Sequence, residues 1–377
     1  MDSRNQRVYL QPTPFCNIAC DYCYLDARNN VARMDITTLE LVFRQVLATR
    51  YLADPVQFVW HAGEPLVVGV DFYRTAWALA SRIAKEYGRT FSFGVQTNGT
   101  LIDESWCRLF HELPMLVGVS LDGPAFIHDA HRVSRSGRGT HSKVLEGVRT
   151  LQSNRIPFTV ISVLSRLSLK HPDAIFDFFV DNRIEEVGFN IDEVEGAHRS
   201  TSIEGRSALR DYRRFFYRLM ERVLLQPPPR LRIRELEVII PKLLSRRSVS
   251  HNSAVVPGDL LTFNFDGYFS TFSPELAGAR TLRFGRFAMG NVQSHPLAQL
   301  GRSPLFAEVY PEIQAGIEAC RRTCPYWTVC GGGTPSNKFW ETGRFDVTET
   351  MHCRATVKTL VDTVLEFLAD GHKLAPA

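Results

Sequence analysis

The sequence predicts a mixed α/β fold, a partial (β/α)6 barrel of TIM type followed by a smaller α+β unit. Three observations carry that expectation. Short apolar runs alternate with amphipathic stretches from Arg7 to about residue 195, as repeated βα units do. Six such units are present, enough for a barrel with its functional residues at the C-terminal strand ends. After residue 250 the pattern changes to a hairpin signal and a cysteine-rich end. The strand-like runs are Val8–Leu10, Val56–Trp60, Phe91–Gln96, Met115–Ser120, Phe158–Leu164 and Glu186–Ile191, each rich in β-branched or aromatic residues. Helical periodicity marks Ile36–Thr49, Phe72–Glu86, Ser142–Ser153 and Pro172–Asp181 between them. A further helix is expected over Ser207–Leu225, ended by Pro227-Pro228-Pro229, because proline lacks the donor a helix needs. Leu261-Thr-Phe-Asn-Phe, a turn at Asp266-Gly267 and Tyr268–Phe272 read as a β-hairpin. An amphipathic stretch, Ala355–Ala369, closes the chain. The expected domains are therefore residues 1–195, a helical bridge over 196–250, and 251–377.

The chain has 377 residues, so it can bury a large core. Its net charge of +4, with no basic stripe interleaved with aromatics, argues against a nucleic-acid partner. No apolar run is long enough to span a bilayer, and Met1 to Arg7 holds no signal core. A cytoplasmic protein with no membrane partner is the expectation, and its eight cysteines then point to metal or redox chemistry rather than disulfides. Seven of them fall in two groups. The eighth, Cys107, reads as a buried helix thiol.

The first group is Cys16-x3-Cys20-x2-Cys23, directly after the first strand. A [4Fe–4S] cluster takes four cysteine thiolates, so three leave one iron open to a ligand that is not protein. A zinc knuckle or scattered buried thiols are the plainer readings. Zinc usually takes four protein ligands, and the next cysteine along the chain is Cys107. Other motifs sit where strands end: Ala62-Gly63-Glu64-Pro65, Gln96-Thr97-Asn98-Gly99-Thr100, and Ser120-Leu121-Asp122-Gly123-Pro124 with His131-Arg132 following. The second cysteine group, Cys320-x3-Cys324-x5-Cys330 and then Cys353, supplies four thiolates, the number for a fully ligated cluster or a structural zinc site.

The three-cysteine loop, with Asp21-Tyr22-Cys23-Tyr24, resembles that of radical SAM enzymes. The Ala-Gly-Glu-Pro string resembles their Gly-Gly-Glu-Pro motif, and the Ser120 to Arg132 segment is similar to the peptide-modifying members. That resemblance implies a [4Fe–4S] cluster on Cys16, Cys20 and Cys23 that holds S-adenosyl-L-methionine (AdoMet) on its open iron and cleaves it to a 5′-deoxyadenosyl radical. It implies cofactor contacts from Tyr22, Gly63, Glu64, Asn98, Ser120, Arg132 and Ile191. Among these, Glu64 suits the methionyl ammonium, Arg132 its carboxylate, and Ile191 the adenine. The C-terminal group resembles a SPASM extension, with one auxiliary [4Fe–4S] cluster on Cys320, Cys324, Cys330 and Cys353. Full SPASM domains carry seven cysteines and two auxiliary clusters. Here Phe272 stands where a hairpin cysteine is expected, and Thr334 where another follows the glycine triplet. Anaerobic sulfatase-maturating enzymes place an aspartate base directly after that hairpin cysteine, and this chain has Ser273. Glu275 and Asp266 are the nearest carboxylates that could serve as base.

The strings from Phe269 to Leu276, Cys330 to Lys338 and Thr348 to Cys353 resemble the cyclophane-forming maturases of ribosomal peptides (GrrM/OscB-type). The implied activity is a bond between an aromatic ring and the β-carbon of a residue two positions on in a precursor peptide, with an external one-electron reductant. Only seven residues precede the first strand, which leaves no room for an N-terminal recognition domain, and strand addition at Leu261–Phe265 is one way to hold the precursor. The alternatives are a thioether cross-link, epimerisation or formylglycine formation. A reading of another class is a non-catalytic iron–sulfur electron carrier, which has no need of a cofactor pocket.

Overall fold

The computed structural model describes residues 6–225, 231–245 and 252–371. The six expected barrel strands form as β1 (Arg7–Leu10), β3 (Val56–Trp60), β4 (Phe91–Thr97), β5 (Met115–Ser120), β7 (Phe158–Leu164) and β8 (Glu186–Ile191). They pair in parallel in that order, with β9 (Arg232–Ile233) beyond β8. Parallel strands need crossover connections, and the amphipathic stretches supply them. These are α1 (Ile36–Leu47), α2 (Val70–Tyr87), α3 (Glu104–Glu112), α5 (His141–Ser153) and α6 (Pro172–Asp181). Helix starts follow local chemistry: the Asp35 carboxylate accepts from the Thr38 amide at 2.7 Å, and Asp103 caps α3 through Ser105 and Trp106. The apolar helix faces and outer strand faces make one continuous core, in which Phe43, Phe58, Trp60 and Phe93 pack edge to face. Cys107 is buried in α3, as its apolar neighbours require.

The hairpin also forms, as β10 (Leu260–Phe263) and β11 (Tyr268–Thr271), paired antiparallel. β10 adds in parallel to β1, so the hairpin extends the barrel sheet. Both edges of β10 are thereby hydrogen-bonded, which removes Leu261–Phe265 as a free edge for a peptide. The expected long helix is α7 (Gly205–Leu224). Pro227 to Pro229 lie outside the described residues. A second helix, α8 (Arg234–Ser245), runs through Pro241. The C-terminal part adds α9 (Pro304–Thr323), the single turn α10 (Trp327–Cys330), α11 (Pro335–Thr342) and α12 (Leu360–Ala369). A π-helical stretch, Cys353–Thr359, leads into α12 where one continuous helix was expected. Such π segments recur at functional sites, and this one starts on a candidate cluster ligand. No helix among the described residues is long and apolar enough to cross a membrane.

Candidate active site and cluster sites

The cysteine loop is pinned from three sides. Its middle forms a short strand, β2 (Ile18–Cys20), paired with β6 (Arg132–Ser134) so that Cys20 lies opposite Arg132. Arg28 donates to the Cys20 carbonyl at 2.7 Å, and Arg135 donates to that of Cys16 at 2.8 Å. From the barrel side, the Glu64 amide donates to the Phe15 carbonyl at 2.7 Å. Gly63 has φ +68°, and a Cβ there would stand 2.3 Å from the Thr13 carbonyl oxygen. Glycine is needed because backbone packs on backbone at that point. Burial pushes the Cys16 thiol up to about 12 and that of Cys20 to about 11. A metal taking these thiolates therefore has to displace their protons.

Glu64 and Asn98 hold the loop in place. Glu64 is 1% exposed, and its carboxylate accepts from Thr97 Oγ1 at 2.6 Å, the Asn98 amide at 2.7 Å and the Leu66 amide at 3.0 Å. Burial outweighs those bonds and lifts its carboxyl to about 7. The Asn98 side chain donates to Asn17 at 2.8 Å and reaches Cys16 Sγ at 3.8 Å. These contacts tie β3, β4 and the cysteine loop into one unit.

Arg132 is buried, and its fork is bidentate on Asp122, at 2.9 and 3.1 Å. Its third nitrogen approaches Cys20 Sγ at 3.8 Å, and the Tyr22 hydroxyl donates to the same Asp122 carboxylate. Asp122 also accepts from the Val163 amide at 2.9 Å. The sequence marks Arg132 for a carboxylate, and the carboxylate it meets within the chain is Asp122. Arg132→Ala would leave that buried carboxylate unpaired, so a loss of about 3–5 kcal/mol in unfolding free energy is expected. Chemical denaturation checks this, and a loss under 1 kcal/mol would show that the pair is not structural.

Inside the partial barrel lies a cavity of about 1120 Å³. Cys20, Cys23, Tyr22, Ser120, Arg132 and Ile191 all line its upper part, so the topology brings these candidate residues together. The inner strand faces carry small or polar residues (Gly94, Gly118, Thr159, Gly188), which keeps the space open. Glu275 lines the cavity and accepts from the Ser273 hydroxyl. Asp266 is not brought to it: at the hairpin turn it is paired with Arg286 at 2.6 and 2.9 Å. The structure thus places Asp266 in an ion pair, outside the cavity lining. Sequence reasoning missed Glu193 and Glu195, which also line the cavity. The signal was available, since both follow directly on the C-terminal end of β8.

The second cysteine group closes on its own cavity of about 200 Å³. Cys320, Cys324, Cys330 and Cys353 line it, with Lys338 and His352. Burial pushes the Cys353 thiol up to about 12, and the nearby Cys330 and Cys324 add to the effect. Lys338 Nζ stands 3.8 Å from Cys320 Sγ. Among the described residues no three His, Cys, Asp or Glu side chains meet closely enough to hold one metal ion. A zinc ion needs sulfurs about 2.3 Å from a single centre. Four cysteine thiols also match the donor set of a fully ligated [4Fe–4S] cluster. Where a further cysteine pair is absent, Phe272 stacks on Phe306 and Tyr310 at 6.0 and 6.2 Å between ring centroids. Phe272 holds φ +84°, an outlier for so bulky a residue.

The model of the Radical SAM superfamily matches residues 10–179. The uncharacterized protein sll1766 of Synechocystis sp. is 38% identical over 371 residues, covering 98% of this chain and 93% of that protein. The serine-type anaerobic sulfatase-maturating enzyme of Klebsiella aerogenes is 40% identical over 169 residues, which are 44% of this chain and 42% of that enzyme. The solved structure of native anSMEcpe with bound AdoMet and Cp18Cys peptide superposes with a TM-score of 0.75 at 21% identity, covering 97% of this chain and 98% of that one. At that identity the likeness is one of fold.

Proposed function

The chain belongs to the radical SAM superfamily and is an enzyme of that class, and from that premise we propose that it matures a precursor peptide by forming a C–C cross-link, a cyclophane, between an aromatic ring and the β-carbon of a residue two positions on. Cys16, Cys20 and Cys23 would hold the cluster, and AdoMet bound there would supply an oxidant able to take hydrogen from an unactivated C–H bond. The residues of the chain do the remainder. Ser120 and Arg132 line the cavity where the cofactor would sit, Ile191 supplies an apolar wall, and Tyr22 and Asp122 fix Arg132. Glu64 and Asn98 keep the cysteine loop seated. The barrel walls shield the reacting carbon from stray hydrogen donors.

The observation that carries the cross-linking reading is the hairpin end. The position that would place an aspartate base for formylglycine chemistry holds Ser273, and the neighbouring cluster position holds Phe272 inside an aromatic stack. One auxiliary cluster, on Cys320, Cys324, Cys330 and Cys353, remains as electron acceptor, and an external one-electron reductant starts the reaction. The peptide held by anSMEcpe in a similar fold supports a peptide substrate. The 40% likeness to the Klebsiella enzyme favours formylglycine formation as the second reading.

Co-expression with a precursor carrying aromatic-x-x repeats is the test. Each modification should lower the peptide mass by two hydrogens, one from the β-carbon and one from the ring, with no atom gained. Backbone fragmentation should fail between the ring residue and its partner. The core peptide must lack cysteine, because a thioether loses the same two hydrogens. If only a cysteine-containing core is cross-linked, the cyclophane reading fails. If a sulfatase-derived peptide instead acquires an aldehyde, the second reading replaces it.

A further inference from the structure

The cross-linking reaction releases a proton that nothing so far accounts for. We propose that Glu193 is the base that takes it, a role that rests on the cross-linking reading above. Once the β-carbon has bonded to the ring, the attacked ring carbon still carries its hydrogen. Its C–H bond then breaks, with the proton going to the Glu193 carboxylate. The bond pair returns to the ring and restores the aromatic sextet. The ring's unpaired electron leaves to a one-electron acceptor of the four-iron class.

Glu193 lies two residues past the end of β8 and lines the large cavity. Its side chain keeps 19% of its surface exposed, so a substrate carbon can reach it. The segment that bears it is fixed on the cysteine loop: the Ala197 amide donates to the Tyr24 carbonyl at 2.8 Å, and a Cβ at Gly196 would stand 2.1 Å from that oxygen. The Asn337 side-chain amide donates to the Glu193 carboxylate, and His352 Nε2 stands 3.6 Å from its other oxygen. His352 lines the auxiliary cavity beside Cys353. Glu193 therefore stands between the two cavities, where proton and electron can leave by adjoining routes. Burial pushes its carboxyl upward, which suits a group that must accept a proton near neutral pH.

The competing carboxylates are placed less well. Asp192 is taken up by Thr201 at 3.0 Å and the Ser202 amide at 2.9 Å. Glu195 shares Asn337 at 3.2 Å and is 7% exposed. Glu275 is held by Ser273 on the hairpin side. Among the described residues the Tyr24 hydroxyl and His61 Nδ1 are enclosed without hydrogen-bond partners, and both residues line the same cavity.

The test uses reconstituted full-length enzyme, a precursor deuterated at the β-carbon, and Glu193→Gln. Iron content and AdoMet affinity should match wild type, and deuterium should still pass into 5′-deoxyadenosine. Cross-linked product should fall about 100-fold, the scale of a lost general base. Electron paramagnetic resonance of freeze-quenched samples should show an organic ring radical that wild type does not accumulate. Glu193→Asp should recover part of the product. Equal cross-linking by wild type and E193Q overturns this role alone. So does loss of iron or AdoMet binding in E193Q, which would make Glu193 structural, and so does the same split appearing in Glu275→Gln instead. A wild-type enzyme that makes no cross-link overturns the parent reading together with this one.

Discussion

With Cys16, Cys20 and Cys23 all replaced by alanine, anaerobically reconstituted protein is expected to hold about four irons where the unaltered chain holds about eight, and to cleave no AdoMet. The reason is spatial separation. Cys20 and Cys23 of the loop line the barrel cavity, whereas Cys320, Cys324, Cys330 and Cys353 line a different one, between the π-helical stretch and Gly332 and Gly333. Emptying one leaves the other's ligands in place. The converse replacement of the four C-terminal cysteines should also halve the iron, yet leave AdoMet cleavage intact and stop cross-link formation. Iron and sulfide assays with product analysis decide both cases. Twelve irons in the unaltered chain would mean a second auxiliary cluster, against the stack of Phe272, Phe306 and Tyr310 where its ligands are missing.

Much of this molecule could be read from its residues because its strongest signals are local. All six barrel strands lie on the short apolar runs, four of which lead into motif residues, and β3, β5, β7 and β8 have the expected limits. The cysteine spacing marked both candidate cluster sites, since ligand number is written directly in sequence. Partnership was harder to see. The sequence marked Arg132 for a cofactor carboxylate, but the antiparallel pair β2 and β6 carries it against Asp122, ten residues earlier in the chain. Glu64 resembled a ligand for an ammonium group, yet three donors from its own turn and from β4 enclose it. Asp266 and Glu275 looked equivalent as hairpin carboxylates. In the fold Arg286, twenty residues away, pairs with Asp266, whereas Glu275 lines the cavity. Glu193 and Glu195 went unread because neither belongs to a motif, and only the curved sheet brings them to the same cavity as Cys20 and Cys23. The helix α9 was not marked in the sequence, and Pro304 occupies its first turn, where the missing donor costs nothing.

Gly63→Ala is the single substitution expected to do the most damage for its size. The added methyl group would meet the Thr13 carbonyl oxygen at 2.3 Å and that of Phe15 at 2.7 Å. Both are backbone atoms of the segment that leads into Cys16, so no side chain can swing aside to relieve the contact. The left-handed φ of +68° adds a smaller term, and one that the chain tolerates next door, since Ala62 has the same φ. The two terms together should cost about 2–5 kcal/mol if the loop stays seated. The cheaper response is for the loop to lift. That would break the Glu64 amide's bond to Phe15 and withdraw Cys16 from Asn98. A lifted Cys16 leaves two thiolates in place, too few for the open-iron cluster. Gly63→Ala should therefore reconstitute with about half the iron of the unaltered chain, keep its auxiliary cluster, and show AdoMet cleavage reduced at least tenfold. Gly69→Ala is the matched control: its φ is also positive, at +89°, but a Cβ there meets nothing within 4 Å. It should retain full iron and AdoMet cleavage with a modest loss of stability. If both variants keep full iron, the packing of Gly63 against Thr13 and Phe15 does not hold the cluster loop in place.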